Sequence, residues 1–141
     1  MNKTVNIRKK LSANDLGLTG SHQVGILVPK SVKDWFPPLD EEALNPDSNI
    51  NISIANGAEF KCRYIHYNNK LMTESGTRDE YRITRMTELL RTLRPSIGDH
   101  LEFEHIGDRE FTVALVPADA APVRGVIEID LSRGWMSIKY Q

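Results

Sequence analysis

The chain has 141 residues, with 18 Lys and Arg against 19 Asp and Glu and a formal net charge of −1. That length suits a single domain, 1–141, around one core, and the near-neutral balance excludes bulk attraction to a polyanion, so any nucleic-acid contact needs a local basic patch. A lone Cys62 excludes an internal disulfide, and the lack of a membrane-length apolar run or apolar leader sets the expectation of a cytoplasmic protein with no membrane partner.

Taken in chain order, basic residues crowd the start at Lys3, Arg8, Lys9 and Lys10. The segment from Leu11 to Gln23 is polar and glycine-rich. Its backbone N–H groups and the side chains of Ser12, Asn14, His22 and Gln23 suit close approach to phosphates or base edges. Ordinary turn chemistry, with Gly17 and Gly20 supplying backbone freedom, accounts for the same residues. A strand is predicted at Val24 to Val28, then a short helix from Ser31 that stops before Pro37, and an acidic run at Asp40, Glu41 and Glu42. Further strands are predicted at Ile50 to Ile54, Phe60 to Tyr67 and Tyr81 to Thr84, and a second short helix at Thr87 to Leu93, ended by Pro95. Leu101 to Ile106 and Glu110 to Val116 flank a hairpin signal at Gly107-Asp108, and Val126 to Ile129 and Trp135 to Tyr140 complete the strands. Cys62, within an apolar run, reads as a small core residue. Many short strands and only two short helices predict a mainly β fold closed, or nearly closed, into a barrel.

The stretch Gly76 to Arg85 is the most informative. If it is extended, Arg78, Glu80 and Arg82 share one face about 6.5–7 Å apart. An arginine fork matches O6 and N7 of guanine, and a glutamate accepts from N4 of cytosine, so Arg-x-Glu-x-Arg is equipped to read C·G pairs. By spacing alone a solvated salt-bridge row is the better account.

Leu11-Ser12-Ala13-Asn14-Asp15, followed by Gly17, Thr19-Gly20, His22-Gln23, Gly25 and Pro29, resembles the opening of the N-terminal effector domain of EcoRII-type (type IIE) restriction endonucleases. Leu44-Asn45-Pro46, Ile65-His66-Tyr67-Asn68 and Thr77-Arg78-x-Glu80-x-Arg82-Ile83-Thr84-Arg85 continue the likeness in the same order, over about residues 9–117. The resemblance implies a prokaryotic DNA-binding pseudobarrel, similar also to the DNA-binding domains of plant auxin-response factors, that grips a short CCWGG-like duplex in the major groove between two arms. By it, base reading falls to Asn14, His22 and Gln23 of the first arm and to Arg78, Asp79, Glu80, Tyr81 and Arg82 of the second. Lys9, Lys10, Ser12, Thr84 and Arg85 become phosphate contacts. It implies no cofactor, no metal and no catalysis by this segment, which is either the effector domain of a larger enzyme with its nuclease in a further C-terminal domain or a stand-alone homologue. Asp79 and Tyr81 stand where the family pattern has asparagine and lysine, and Ser21 where it has glycine.

Two rival readings have sequence support. Pro46-Asp47 with Glu59-Phe60-Lys61 matches the magnesium nuclease pattern in which paired carboxylates hold the ion and the lysine orients water; the short helices argue against such a core. A protein-interaction barrel would need an exposed aromatic patch, for which Trp35-Phe36 and Trp135 are the candidates. His66, His100 and His105 are expected to be structural strand residues.

Overall fold

The alternation of apolar and polar residues that runs through the chain folds into one sheet of nine strands in the computed structural model, which describes residues 5–18, 25–120 and 126–140. The strands are β1 Val5–Lys10, β2 Ile26–Val28, β3 Asp47–Ser53, β4 Glu59–Tyr67, β5 Glu80–Thr84, β6 His100–Gly107, β7 Glu110–Val116, β8 Val126–Ser132 and β9 Trp135–Tyr140. Two helices interrupt them, α1 at Asn69–Met72 and α2 at Thr87–Leu93. Among the described residues no helix is long and apolar enough to cross a bilayer.

The sheet order is β2-β5-β4-β3-β7-β6-β1-β9-β8. Every pairing is antiparallel except β3 with β7, which joins a four-stranded half to a five-stranded half. The outer strands β2 and β8 do not pair with each other. Side chains draw the two ends together instead: Trp135 Nε1 donates to the Leu27 carbonyl at 2.8 Å, and the Ser31 hydroxyl donates to the Leu131 carbonyl. The result is a curled sheet short of full closure, the mainly β pseudobarrel expected from the sequence.

Phe36 is the hub of the interior. Its ring lies 5.0 Å from Tyr64, 5.3 Å from Phe111, 6.1 Å from Phe103 and 6.2 Å from Trp135. Separations of this size are those of favourable aromatic pairs. The helix expected from Ser31 is therefore only a 3-10 turn, Lys33–Trp35, because the chain straightens at Phe36 to push that ring into the barrel before the two prolines. Phe36 and Trp135 are buried and Trp35 is half-buried, so the aromatic docking patch considered above is core. Cys62 is fully buried, and burial pushes its thiol up to about 11.

Two elements escape a reading of pattern. β1 lies between β6 and β9, and its Arg8 sits opposite Glu102 at 2.7 Å, where Tyr140 Oη also donates to that carboxylate. α1 is a single turn between β4 and β5. The strand expected from Val24 is Ile26–Val28, Val24 lying outside the described residues. The 107–108 hairpin forms as expected, with a bulge between His105 and Gly107.

Candidate functional site

The β4–β5 register decides which side chains of the second arm face outward. Tyr67 lies opposite Glu80, Ile65 opposite Arg82 and Arg63 opposite Thr84, while His66 and Tyr64 lie opposite Tyr81 and Ile83 on the inner side. Period two along β5 puts Glu80 and Arg82 on the same side, and Arg78, two residues before Glu80 and just ahead of the strand, joins them in one row through its bonds to Glu80. Glu80 is its centre: Oε1 accepts from Arg78 Nε at 2.9 Å and Nη2 at 2.6 Å, and Oε2 accepts from Arg82 Nη2 at 3.4 Å. Burial would raise the Glu80 carboxyl, but the hydrogen bonds from Arg78 and Arg82 outweigh it and hold the group below the ordinary glutamate value. Arg78 also lies over the Tyr67 ring, 3.7 Å from its centroid. Within the row Arg78 is 32 % exposed, Glu80 23 % and Arg82 7 %, so Arg78 and Glu80 form its accessible edge and Arg82 its floor.

The other two members of the run are placed differently. Tyr81 is buried, its ring stacked 4.0 Å from His66 and its hydroxyl donating to Glu41. It faces the core because it is the odd residue in the alternation. Asp79 gives Oδ1 to His66 Nε2 at 2.8 Å and Oδ2 to Lys30 Nζ at 2.9 Å, and the hydrogen bonds from His66 and then Lys30 lower its carboxyl below the usual range. Both oxygens are engaged in holding the arm. Arg85 follows at φ 59 in the turn into α2, exposed, and Thr84 is half-buried.

Lysine, serine and aspartate build the first arm at its root. Ser12 and Asp15 exchange hydrogen bonds, Ser12 N–H to Oδ2 at 2.9 Å and Asp15 N–H to Oγ at 3.2 Å, the reciprocal pattern that caps a helical turn. Lys9 Nζ meets the same Asp15 oxygen at 2.9 Å and the Lys10 carbonyl at 2.8 Å, with both side chains 7 % exposed. Lys9 is thus a buried structural cation, not the surface phosphate contact that its sequence position suggested; Lys10, one residue on and therefore on the other face, is exposed. The Asn14 to Leu18 turn faces α2 across a cleft of about 540 Å³, lined also by Gly25, Arg91 and Arg94. His22 and Gln23 lie outside the described residues.

The metal-nuclease constellation does not assemble. Asp47 pairs with Ile65 and Ser53 with Glu59, so the two carboxylates stand at opposite ends of the β3–β4 hairpin, roughly 20 Å apart at the rise of a strand. One ion cannot bridge that distance, and Asp47 binds Arg63 at 2.9 Å instead. Lys61 lies opposite Asn51, and Glu59 stays at the far turn. Among the described residues no group of three His, Cys, Asp or Glu side chains is placed to hold a metal ion.

The fold is that of a β-pseudobarrel domain. The chain matches the family model described as "Restriction endonuclease EcoRII, N-terminal" over residues 1–99, and it belongs to that family. The two polar segments, 11–23 and 76–85, fall within the matched residues. The type II restriction enzyme EcoRII of Escherichia coli is 39 % identical over 84 residues, which is 57 % of this chain and 20 % of that protein, so the chain spans about a fifth of the length of this relative. Among solved structures, the N-terminal domain of Helicobacter pylori LlaJI.R1 superposes with a TM-score of 0.50 at 12 % identity, covering 83 % of this chain and 84 % of that one. At that identity the likeness is one of fold.

Proposed function

We propose that this chain is a sequence-specific double-stranded DNA-binding effector domain that reads C·G pairs of a short CCWGG-like site in the major groove. In this reading it is not itself an enzyme: it is the recognition part of a restriction enzyme whose nuclease is a separate C-terminal domain, or a stand-alone relative of such a part, acting in a prokaryotic cytoplasm without cofactor. The observation that carries the proposal is the Arg78–Glu80–Arg82 row, which stands ordered on Tyr67 before any duplex arrives. Guanidinium offers five N–H donors, of which Arg78 spends two on Glu80, and its outer edge matches O6 and N7 of guanine. Glu80, held ionised, accepts from a cytosine amino group, while Arg82 braces it from below. Each good pairing of this kind contributes about 1–3 kcal/mol of discrimination.

Asn14, with His22 and Gln23, reads from the first arm. Lys10, Ser12, Thr84 and Arg85 contact phosphates, which position the domain without specifying sequence. What supports this over a role as a mere surface ion-pair row is that an arm held by hydrogen bonds from His66 and Lys30 to Asp79 and from Arg78 to Asn69 has little conformational freedom left to lose on binding.

Fluorescence anisotropy across a panel of CCWGG-type and scrambled duplexes, at several salt concentrations, tests the proposal. The expected result is tight binding to one sequence, lost in Glu80→Ala and Arg78→Ala but not in Lys10→Ala, which weakens all duplexes alike. Equal weak binding to every duplex would overturn it.

A further inference from the structure

His66 is the one histidine whose two ring nitrogens both face carboxylates among the described contacts. Nδ1 lies 2.5 Å from Glu41 Oε2 and Nε2 lies 2.8 Å from Asp79 Oδ1, with the side chain 4 % exposed and the ring stacked on Tyr81. An ionised carboxylate only accepts, so the ring donates to Asp79 from Nε2. The arrangement is a chain of contacts, Glu41, His66, Asp79, Lys30, running from the loop before β3 through β4 to the start of the second arm and the loop just after β2.

The loop that carries Glu41 is itself clipped to the end of β4. Asn45 and Asn68 exchange backbone-to-side-chain hydrogen bonds at 2.8 and 3.1 Å, and Asn68 Nδ2 donates to the Ala43 carbonyl at 2.8 Å. On the far side the arm is tied to α1, where Arg78 N–H donates to Asn69 Oδ1 at 2.7 Å and Lys70 N–H to the Arg78 carbonyl at 2.9 Å. His66 is thus the buried post to which Asp79, the residue between the two readers Arg78 and Glu80, is fixed.

We infer that His66 is a positioning residue for DNA recognition: held between Asp79 and Glu41, it sets the place and the pitch of the Arg78–Glu80–Arg82 row without touching the duplex. The inference rests on the proposed DNA-reading role. Other charged groups near the ring are Lys33, over the Tyr81 ring at 5.7 Å, and Asp34, which acts electrostatically on Tyr81 and Tyr64. They lie on the Tyr81 side of the ring, and neither bonds its nitrogens. Asp79 in this account has both oxygens engaged, by His66 and by the cation Lys30, which is how a carboxylate is accommodated beside a polyanion.

The sign of one substitution separates positioning from plain charge. Asp79→Asn removes a negative charge close to the duplex; were charge all that mattered, it would tighten binding to every sequence. Weakening of the part-buried charge-assisted bond instead predicts about tenfold weaker binding to the preferred duplex, with scrambled duplexes bound as well as before or better. His66→Phe keeps the stack on Tyr81 and donates nothing, and is expected to give the same loss. The double variant is expected to be no worse than either single, because both act through one bond. Thermal melts accompany each variant, and His66→Gln, which retains one donor toward Asp79, is expected to recover part of the preferred-duplex affinity. Additive losses, or tighter binding by Asp79→Asn to all sequences, would overturn the inference. An independent arm needs no DNA: nitrogen-15 spectra of the wild-type imidazole are expected to show a hydrogen-bonded proton on Nε2, the nitrogen that faces Asp79. An Nε2 without that proton would overturn the bracket, whereas an intact bracket with no sequence preference in any duplex would fault the DNA-reading role instead.

Discussion

The guanidinium carbon of Arg78 lies 3.7 Å from the centroid of the Tyr67 ring while the same side chain donates two hydrogen bonds to Glu80. The β4–β5 register causes this, since Tyr67 stands directly opposite Glu80. A free arginine carries about 2 kcal/mol of rotamer entropy, and an arginine already stacked and bonded forfeits less of it when it meets a base. Tyr67→Leu keeps the apolar volume and removes the ring. We expect a two- to fivefold loss of affinity for the preferred duplex, on the order of 0.5–1 kcal/mol for a partly exposed cation–π pair, appearing as a faster off-rate. An unchanged off-rate would mean that the stack does not order the reader.

Depressed carboxyls make the arm acid-sensitive. Glu80 lies below its ordinary 4.5 and Asp79 below its ordinary 3.8. A group whose folded pKa is lowered lends stability that is whole above the unfolded value and is lost as pH falls through the folded one. The share of the melting temperature carried by these carboxylates is therefore expected to be constant above about pH 5 and to fall below about 4. Glu102, also lowered against its burial by hydrogen bonds from Tyr140, Arg8 and Asn6, shares that limb. Glu80→Gln is expected to make the limb shallower, read by melts at stepped pH. A limb of undiminished steepness in the variant would show that Glu80 carries no charge coupling in the fold.

Lys9 and Lys10 are adjacent in sequence and opposite in consequence. Removing Lys9 leaves Asp15 ionised and buried, which costs about 3–5 kcal/mol in pairs of this kind. Lys9→Met is thus expected to lower the melting temperature strongly, and Lys9→Met with Asp15→Leu to restore much of it. Lys10→Ala is expected to leave the melt unchanged and to reduce the slope of log affinity against log salt by about one. Equal salt slopes for Lys10→Ala and wild type would remove Lys10 from the phosphate contacts.

The difference between those lysines shows what was legible in the sequence. Alternation and turn signals located β3 to β9 closely, because half-buried strands write their two faces into the residue order. Lys9 defeated that signal: a lysine on the inner face of β1 looks like part of a basic tail, and only Asp15, six residues on and across a turn, reveals it as core. The outward row of Arg78, Glu80 and Arg82 was readable from period two, and the inward turn of Tyr81 was implicit in the same period once Ile83 was taken as core. The resemblance put His66 and Tyr67 in the recognition surface, but their contacts with the row, and the part of Glu41, were out of reach, because the pairing register and the loop clip at Asn45 and Asn68 create them. The 3-10 turn replaced a helix at Lys33–Trp35 because the demand of Phe36 for the core outweighed local propensity.

Two glycines hold the arms by close backbone approach, and they predict separable defects. A Cβ on Gly25, at φ +111, would meet the Ile83 carbonyl oxygen at 2.2 Å, inside the β2–β5 pairing; a Cβ on Gly76 would meet the Asn69 carbonyl oxygen at 2.0 Å and its carbon at 2.2 Å, at the docking of the arm on α1. In each case the obstacle is backbone, so the chain must move. Gly25→Ala forces β2 from β5 next to the fully buried Ile26 and Ile83, and is expected to lower stability by about 2 kcal/mol or more, seen in denaturant unfolding. Gly76 lies in a loop with few core contacts, so Gly76→Ala is expected to change stability by less than about 1 kcal/mol while lifting Arg78 from Asn69 and Lys70 and cutting preferred-duplex affinity about tenfold. Wild-type affinity in Gly76→Ala would show that the seat of the arm on α1 does not set the reading row, and a large stability loss there would show that the arm is part of the folding core.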